Sequence, residues 1–111
     1  MNIIDRENAV LASFLYADDV GTDKTQAFNL DSNIFTNEYR RAVANKINDE
    51  MDGDQFMGYL SITLEGQTEG TVFEKDWIDI LAQTPMPFSV VNRIHNDLKV
   101  EYKKRLARSF R

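Results

Sequence analysis

From Phe88 onward, apolar residues return at Val91, Ile94, Leu98, Tyr102, Leu106 and Phe110. Steps of three and four place all six on one face of an α-helix. Pro85 and Pro87 set its start, because proline fixes φ and removes a backbone donor. A helix from about Phe88 to Phe110 is roughly 33 Å long at about 1.5 Å per residue. The preceding segments are too short to cover such a rod, so its far end is expected to project from the globule. This one element commits the chain to a bundle of helices around a long C-terminal one.

The rest of the sequence reads in the same period. A first helix is expected from about Asp5 to Ala17, with Val10, Leu11, Phe14 and Leu15 on one face and Asp5 as its N-cap. Residues 22–33 are polar, apart from Phe28 and Leu30, and read as a short helix or an ordered loop. Phe35, Tyr39, Val43, Ile47 and Met51 recur every four residues, with Thr36 placed to cap the start and MDGD to stop the helix. On its opposite face stand Arg40, Arg41, Asn45 and Asn48. Over residues 54–65, Phe56, Met57, Leu60 and Leu64 have helical spacing. Leu60, Ile62 and Leu64 also alternate as in a strand, but a lone short strand has no partner here, so helix is preferred. Gly66 and Gly70 bracket an expected turn. The next helix runs from about Thr71 to Gln83, with Phe73, Trp77, Ile80 and Leu81 inward. The fold class that follows is all-α: a compact bundle of about five or six helices in one domain over residues 1–111. Leu11, Phe14, Val43, Ile47, Leu60, Trp77, Ile80 and Leu81 are expected to share its core.

Charge is unevenly placed. Residues 99–111 carry six basic side chains and the single acid Glu101, giving +5, so the first 98 residues carry −10 of the net −5. An acidic body argues against broad nucleic-acid contact, which requires a basic face. Only the tail offers candidate phosphate contacts, at Lys99, Lys103, Lys104, Arg105 and Arg108. The plainer account of those residues is a helix C-terminus, where cations are favoured by the dipole. There is no cysteine, which excludes thiolate metal sites and disulfides and fits a reducing compartment. The opening MNIIDRENAV does not read as a signal peptide, and no apolar run is long enough to span a membrane. The expected setting is a reducing cytoplasm.

Catalytic and cofactor constellations are missing one by one. His95, the only histidine, lacks further ligands or a nucleophile in a defined context and reads as a helix-surface residue. Asn48, Glu50, Asp52 and Gly53 start a calcium-loop pattern, but position twelve is Tyr59 where a bidentate glutamate is needed. Carboxylate pairs such as Asp18/Asp19 and Asp76/Asp79 are expected by chance among 18 acids and read as wet surface. No P-loop occurs. Trp77 lies among Glu74, Asp76 and Asp79 rather than among the basic residues a base-stacking platform uses, so it reads as core. No enzyme activity, metal or cofactor is expected from this chain itself.

The order of these segments resembles a known family. Glu7–Tyr16, ENAVLASFLY, is similar to the opening helix of the N-terminal domain of DnaB-type bacterial replicative helicases. Phe35 followed by Tyr39-Arg40-Arg41-Ala42-Val43 resembles that family's next long helix, with Arg40 at its arginine. A helix closing in Thr-Pro, here Trp77–Pro85, and a long final helix with basic residues, here Phe88–Arg108, complete the likeness. The helicase-binding C-terminal domain of bacterial primases resembles the same fold. The resemblance implies a collar-type interaction domain that forms homodimers or larger homo-oligomers and meets a replicative helicase, a primase or a helicase loader. The motor of a larger replication enzyme would then lie on another segment. The alternatives are the helicase-binding domain of a primase or phage primase-polymerase, and a small accessory protein that binds nucleic acid through its basic C-terminal helix. The stripe Val91, Ile94, Leu98, Tyr102, Leu106 and Phe110 is the candidate interaction surface, and no membrane partner is expected.

Overall fold

The structure, a computed structural model, describes residues 2–16, 29–51 and 57–109. Among these are five α-helices and one 3-10 turn, with no strand. They are α1 (Ile3–Leu15), the turn Ser32–Ile34, α2 (Glu38–Met51), α3 (Met57–Thr68), α4 (Glu74–Leu81) and α5 (Phe88–Ser109). The expected all-α bundle with a long C-terminal helix is what forms. Phe28, Asp18, Asp19, Asp52, Gly53, Phe56 and Phe110, named above, lie outside the described residues.

α1 is the central rod. Every residue from Glu7 to Leu15 is buried, not just the expected face. α2, α3, α4 and α5 all pack against it, so from Glu7 to Leu15 no side of it is left for water. Ala9, Ala12 and Ser13 let neighbours approach closely on the faces without large side chains, and a helix surrounded in this way has no polar stripe to show in its sequence. Its N-cap is Asn2, whose Oδ1 accepts from the Asp5 N–H at 2.8 Å. Asp5 thus sits in the first turn instead of capping it. α2 is capped by Asn37, whose Oδ1 accepts from the Tyr39 and Arg40 N–H groups at 2.6 and 3.3 Å. Thr36, expected in that role, is turned toward Glu7.

α3 runs on through Gly66 to Thr68, so Gly66 is a helical residue and Gly70, at φ +77°, makes the turn alone. α4 begins later than expected because Thr71 is held in that turn. Its N–H and its hydroxyl both donate to the Thr68 carbonyl, at 3.0 and 2.7 Å. The helical reading of residues 60–64 holds: Leu60 and Leu64 face inward, while Ile62 is 69% exposed. Pro87 opens α5, its carbonyl accepting from the Val90 and Val91 N–H groups at 3.0 Å each. The preceding linker is pinned to α1 by the Met86 N–H, which donates to Ser13 Oγ at 3.0 Å.

The expected core is present. Leu11, Phe14, Val43, Ile47, Leu60, Trp77 and Ile80 are buried in one cluster, and Leu81 packs partly buried against it. Phe14 meets Phe88 of α5 with ring centroids 5.0 Å apart. The Cα radius of gyration is 13.7 Å, close to the roughly 13 Å of a compact chain of this length.

Candidate interaction surface

α5 changes character along its length. Val91 and Leu98 are fully covered, largely by α1, and are corrected here from interaction residues to core residues. Ile94 and Tyr102 are half-buried against the same core. Of the six-member stripe, only Leu106 stands on the surface among the described residues, 39% exposed. Val100, on another side of the helix, is 51% exposed.

The helix also projects less than its length suggests. Arg105 Nη2 donates to the Ile34 carbonyl at 2.9 Å, and its guanidinium lies 5.6 Å from the Tyr102 ring centroid. The 3-10 turn therefore carries the globule out to Arg105, and the exposed end is only Leu106–Ser109. This takes Arg105 out of the candidate phosphate contacts as a free cation. Lys99 is half-buried. Lys103, Lys104 and Arg108 are exposed, with Lys104 Nζ 3.5 Å from Glu101 Oε1. Such an exposed pair contributes little, about 0–1 kcal/mol. On α5 the side chains left for a partner are thus Leu106 and Lys103 on one side, and Lys104 and Arg108 with Val100 on the opposite side.

The buried polar groups serve the fold. Glu7, fully buried, accepts from the Thr36 N–H and, at 2.8 Å, from the Thr36 hydroxyl. Arg40 Nε lies 3.6 Å from Glu7 Oε1, and Arg40 Nη1 lies 3.7 Å from Asp76 Oδ1. Arg40 is thereby a buried bolt joining α1, α2 and α4, not a residue of the polar face. Above it the Tyr39 and Phe73 rings stack at 5.1 Å. The Thr68 hydroxyl donates to the Leu64 carbonyl at 2.7 Å, so Tyr39 donates in its 2.9 Å bond to Thr68 Oγ1. Burial raises the Tyr39 phenol above its ordinary value.

A second polar device holds residues 29–31. Asn48 Oδ1 accepts from the Leu30 N–H at 2.8 Å and Asn48 Nδ2 donates to the Leu30 carbonyl at 2.7 Å. This side chain, once the first position of a calcium-loop reading, is spent on the backbone. His95 Nε2 accepts from the Asp31 N–H at 3.2 Å. His95 is 1% exposed, which corrects the surface reading. No group of three or more His, Asp or Glu side chains among the described residues is placed to hold a metal ion. No helix among them is long and apolar enough to cross a membrane.

The His95 bond has a pH signature. Burial first, then the charge of Lys99, hold its pKa at about 4, against an opposing pull from Asp31. The unfolded imidazole takes up a proton below about pH 6.5, whereas the folded one resists until near pH 4. The resulting stability is complete above pH 6.5 and drains as pH falls toward 4, by on the order of 3 kcal/mol in all. Denaturant midpoints measured at pH 7 and pH 4.5 should fall for the wild type and fall distinctly less for His95→Gln. Equal falls would mean that other groups carry the acid sensitivity.

Comparison of this chain with family models, with curated proteins and with solved structures found no match.

Proposed function

We propose that this chain is a non-catalytic protein–protein interaction domain of the DNA replication machinery, akin to the collar domain of DnaB-type replicative helicases. It engages a replicative helicase, a primase or a helicase loader. The observation that carries the binding role is the end of α5, where Leu106 stands exposed with Lys103 on its side, and Lys104 and Arg108 stand exposed with Val100 on the opposite side. Exposed apolar groups among charged ones suit a protein interface with a polar rim. The assignment to replication rests on the ordered motif resemblance. Two residues of its first two motifs, Glu7 and Arg40, meet in the buried ion pair.

The test is binding of the purified chain to the helicase, primase and loader encoded by the same genome. Calorimetry should give a micromolar or tighter complex with one of them. Leu106→Glu should weaken it at least about tenfold, the loss of one buried anchor, with an unchanged melting temperature. A second reading is favoured by the same three exposed cations: contact with nucleic-acid phosphate. If none of the three proteins binds, and duplex or single-stranded DNA binds with affinity falling steeply as salt rises, the accessory nucleic-acid reading replaces the first.

A further inference from the structure

Between α3 and α4 lies a cleft of about 210 Å³ lined by Glu65, Glu69, Glu74, Trp77, Ile78 and Leu81. This is below the roughly 300–1,000 Å³ of sites that take drug-sized ligands, so it has room for a side chain or two. All three glutamates are exposed, and none makes an ion pair among the described residues. Their carboxylates are not placed to share a metal ion. Trp77 is 3% exposed, yet its Nε1–H has no acceptor. Buried donors nearly always have a partner; an acceptor entering the cleft would supply one, which lysine and arginine side chains cannot be but the free carbonyls at a helix C-terminus can. Ile78, 57% exposed, adds an apolar wall. Ile62 continues that surface on the α3 face shared with Glu65 and Glu69.

Such a cleft selects a cationic segment with an apolar member, and this chain carries one. The last turns of α5 present Leu106 with Lys103 on one side and Lys104 with Arg108 on the opposite side, and none of these cations reaches a cleft glutamate within the chain. The tail carries +5 against −10 on the rest. We infer that the α3–α4 cleft is the docking site for the distal end of α5 from a second copy of this chain. The inference rests on reading the chain as a protein-binding domain and names one of its partners. Cleft and tail are different surfaces, so the contact is made reciprocally in a two-fold pair or passes from copy to copy in a ring or filament. Because its charges are exposed, the contact weakens as salt shortens the screening length.

A charge exchange tests it by sedimentation of the full chain at about 0.05 M and about 0.5 M salt. Four samples are compared: wild type, Glu65→Lys/Glu69→Lys, Lys103→Glu/Lys104→Glu, and a one-to-one mixture of the two variants. The wild type should self-associate in low salt, and its association should weaken about tenfold or more in high salt. Each variant alone should stay monomeric with wild-type circular dichroism and melting. The mixture should associate again, because each reversed cleft then meets a reversed tail and each native cleft a native tail. A wild type that is monomeric at high micromolar concentration in low salt overturns the proposal, as does either variant associating like the wild type. A folded pair of variants that fails to associate on mixing overturns it too. None of these results touches heterologous binding to helicase, primase or loader, which the calorimetric experiment reads separately.

Discussion

Replacing Arg40 with methionine should cost about 3–5 kcal/mol, the usual loss when one partner of a buried ion pair is removed. Glu7 is fully buried and Arg40 is 5% exposed. Without the guanidinium, the Glu7 carboxylate keeps only the Thr36 N–H and hydroxyl, and its charge has no counterpart in a medium that solvates it poorly. The loss should be coupled. Adding Glu7→Gln removes the stranded charge, so the double variant should be more stable than Arg40→Met alone. Urea titration of the four proteins checks this. A double variant that loses the sum of the two single losses would show that Glu7 and Arg40 act independently. Asp76 should matter less, being 28% exposed and 3.7 Å away.

Trp77→Ala should cost about 3–5 kcal/mol, because a large buried aromatic leaves a cavity that its surroundings fill only in part. Trp77 is 3% exposed in the cluster that also holds Leu60, Leu64 and Ile80. It is the only tryptophan, so its emission reports unfolding in the wild type and circular dichroism reports it in the variant. A loss below about 1 kcal/mol, the range of surface substitutions, would mean that the indole does not anchor α4. Trp77→Phe, which keeps much of the volume, should lose far less.

How much of this was legible in the chain differs by residue. Phe35, Tyr39, Val43, Ile47 and Met51 announce α2, and the stripe from Val91 announces α5, because apolar residues must face one way on a rod that packs on one side. Trp77 could be read as core from its acidic neighbours. α1 was legible as a helix but not as the central one, since its outer faces are covered by small residues that carry no periodic signal. The polar side chains were misread most. Arg40 precedes Val43 by three residues and Ile47 by seven, and His95 follows Val91 by four and precedes Leu98 by three, so spacing puts both on buried faces, and it was their polar character that misled, as it did for Asn48. All three are turned inward by partners 18 to 64 residues distant in sequence, or, for Arg40, by Glu7 on another helix. The interaction surface suffered the same error in reverse: Val91 and Leu98 belong to the core, and Arg105 is tied to Ile34.

The sequence by itself determined the helices, their approximate limits and the apolar residues that meet in the core, because periodicity and breakers act within a few residues of chain. It also determined the split between an acidic body and a basic tail. Only the tertiary structure decided which partners the buried polar groups find, how far α5 stays attached, and that Glu65, Glu69 and Glu74 meet Trp77 in one cleft. Those outcomes depend on which distant segment arrives to cover each surface. Desolvation and hydrogen bonding act on that arrangement in space, and no spacing along a single helix records it.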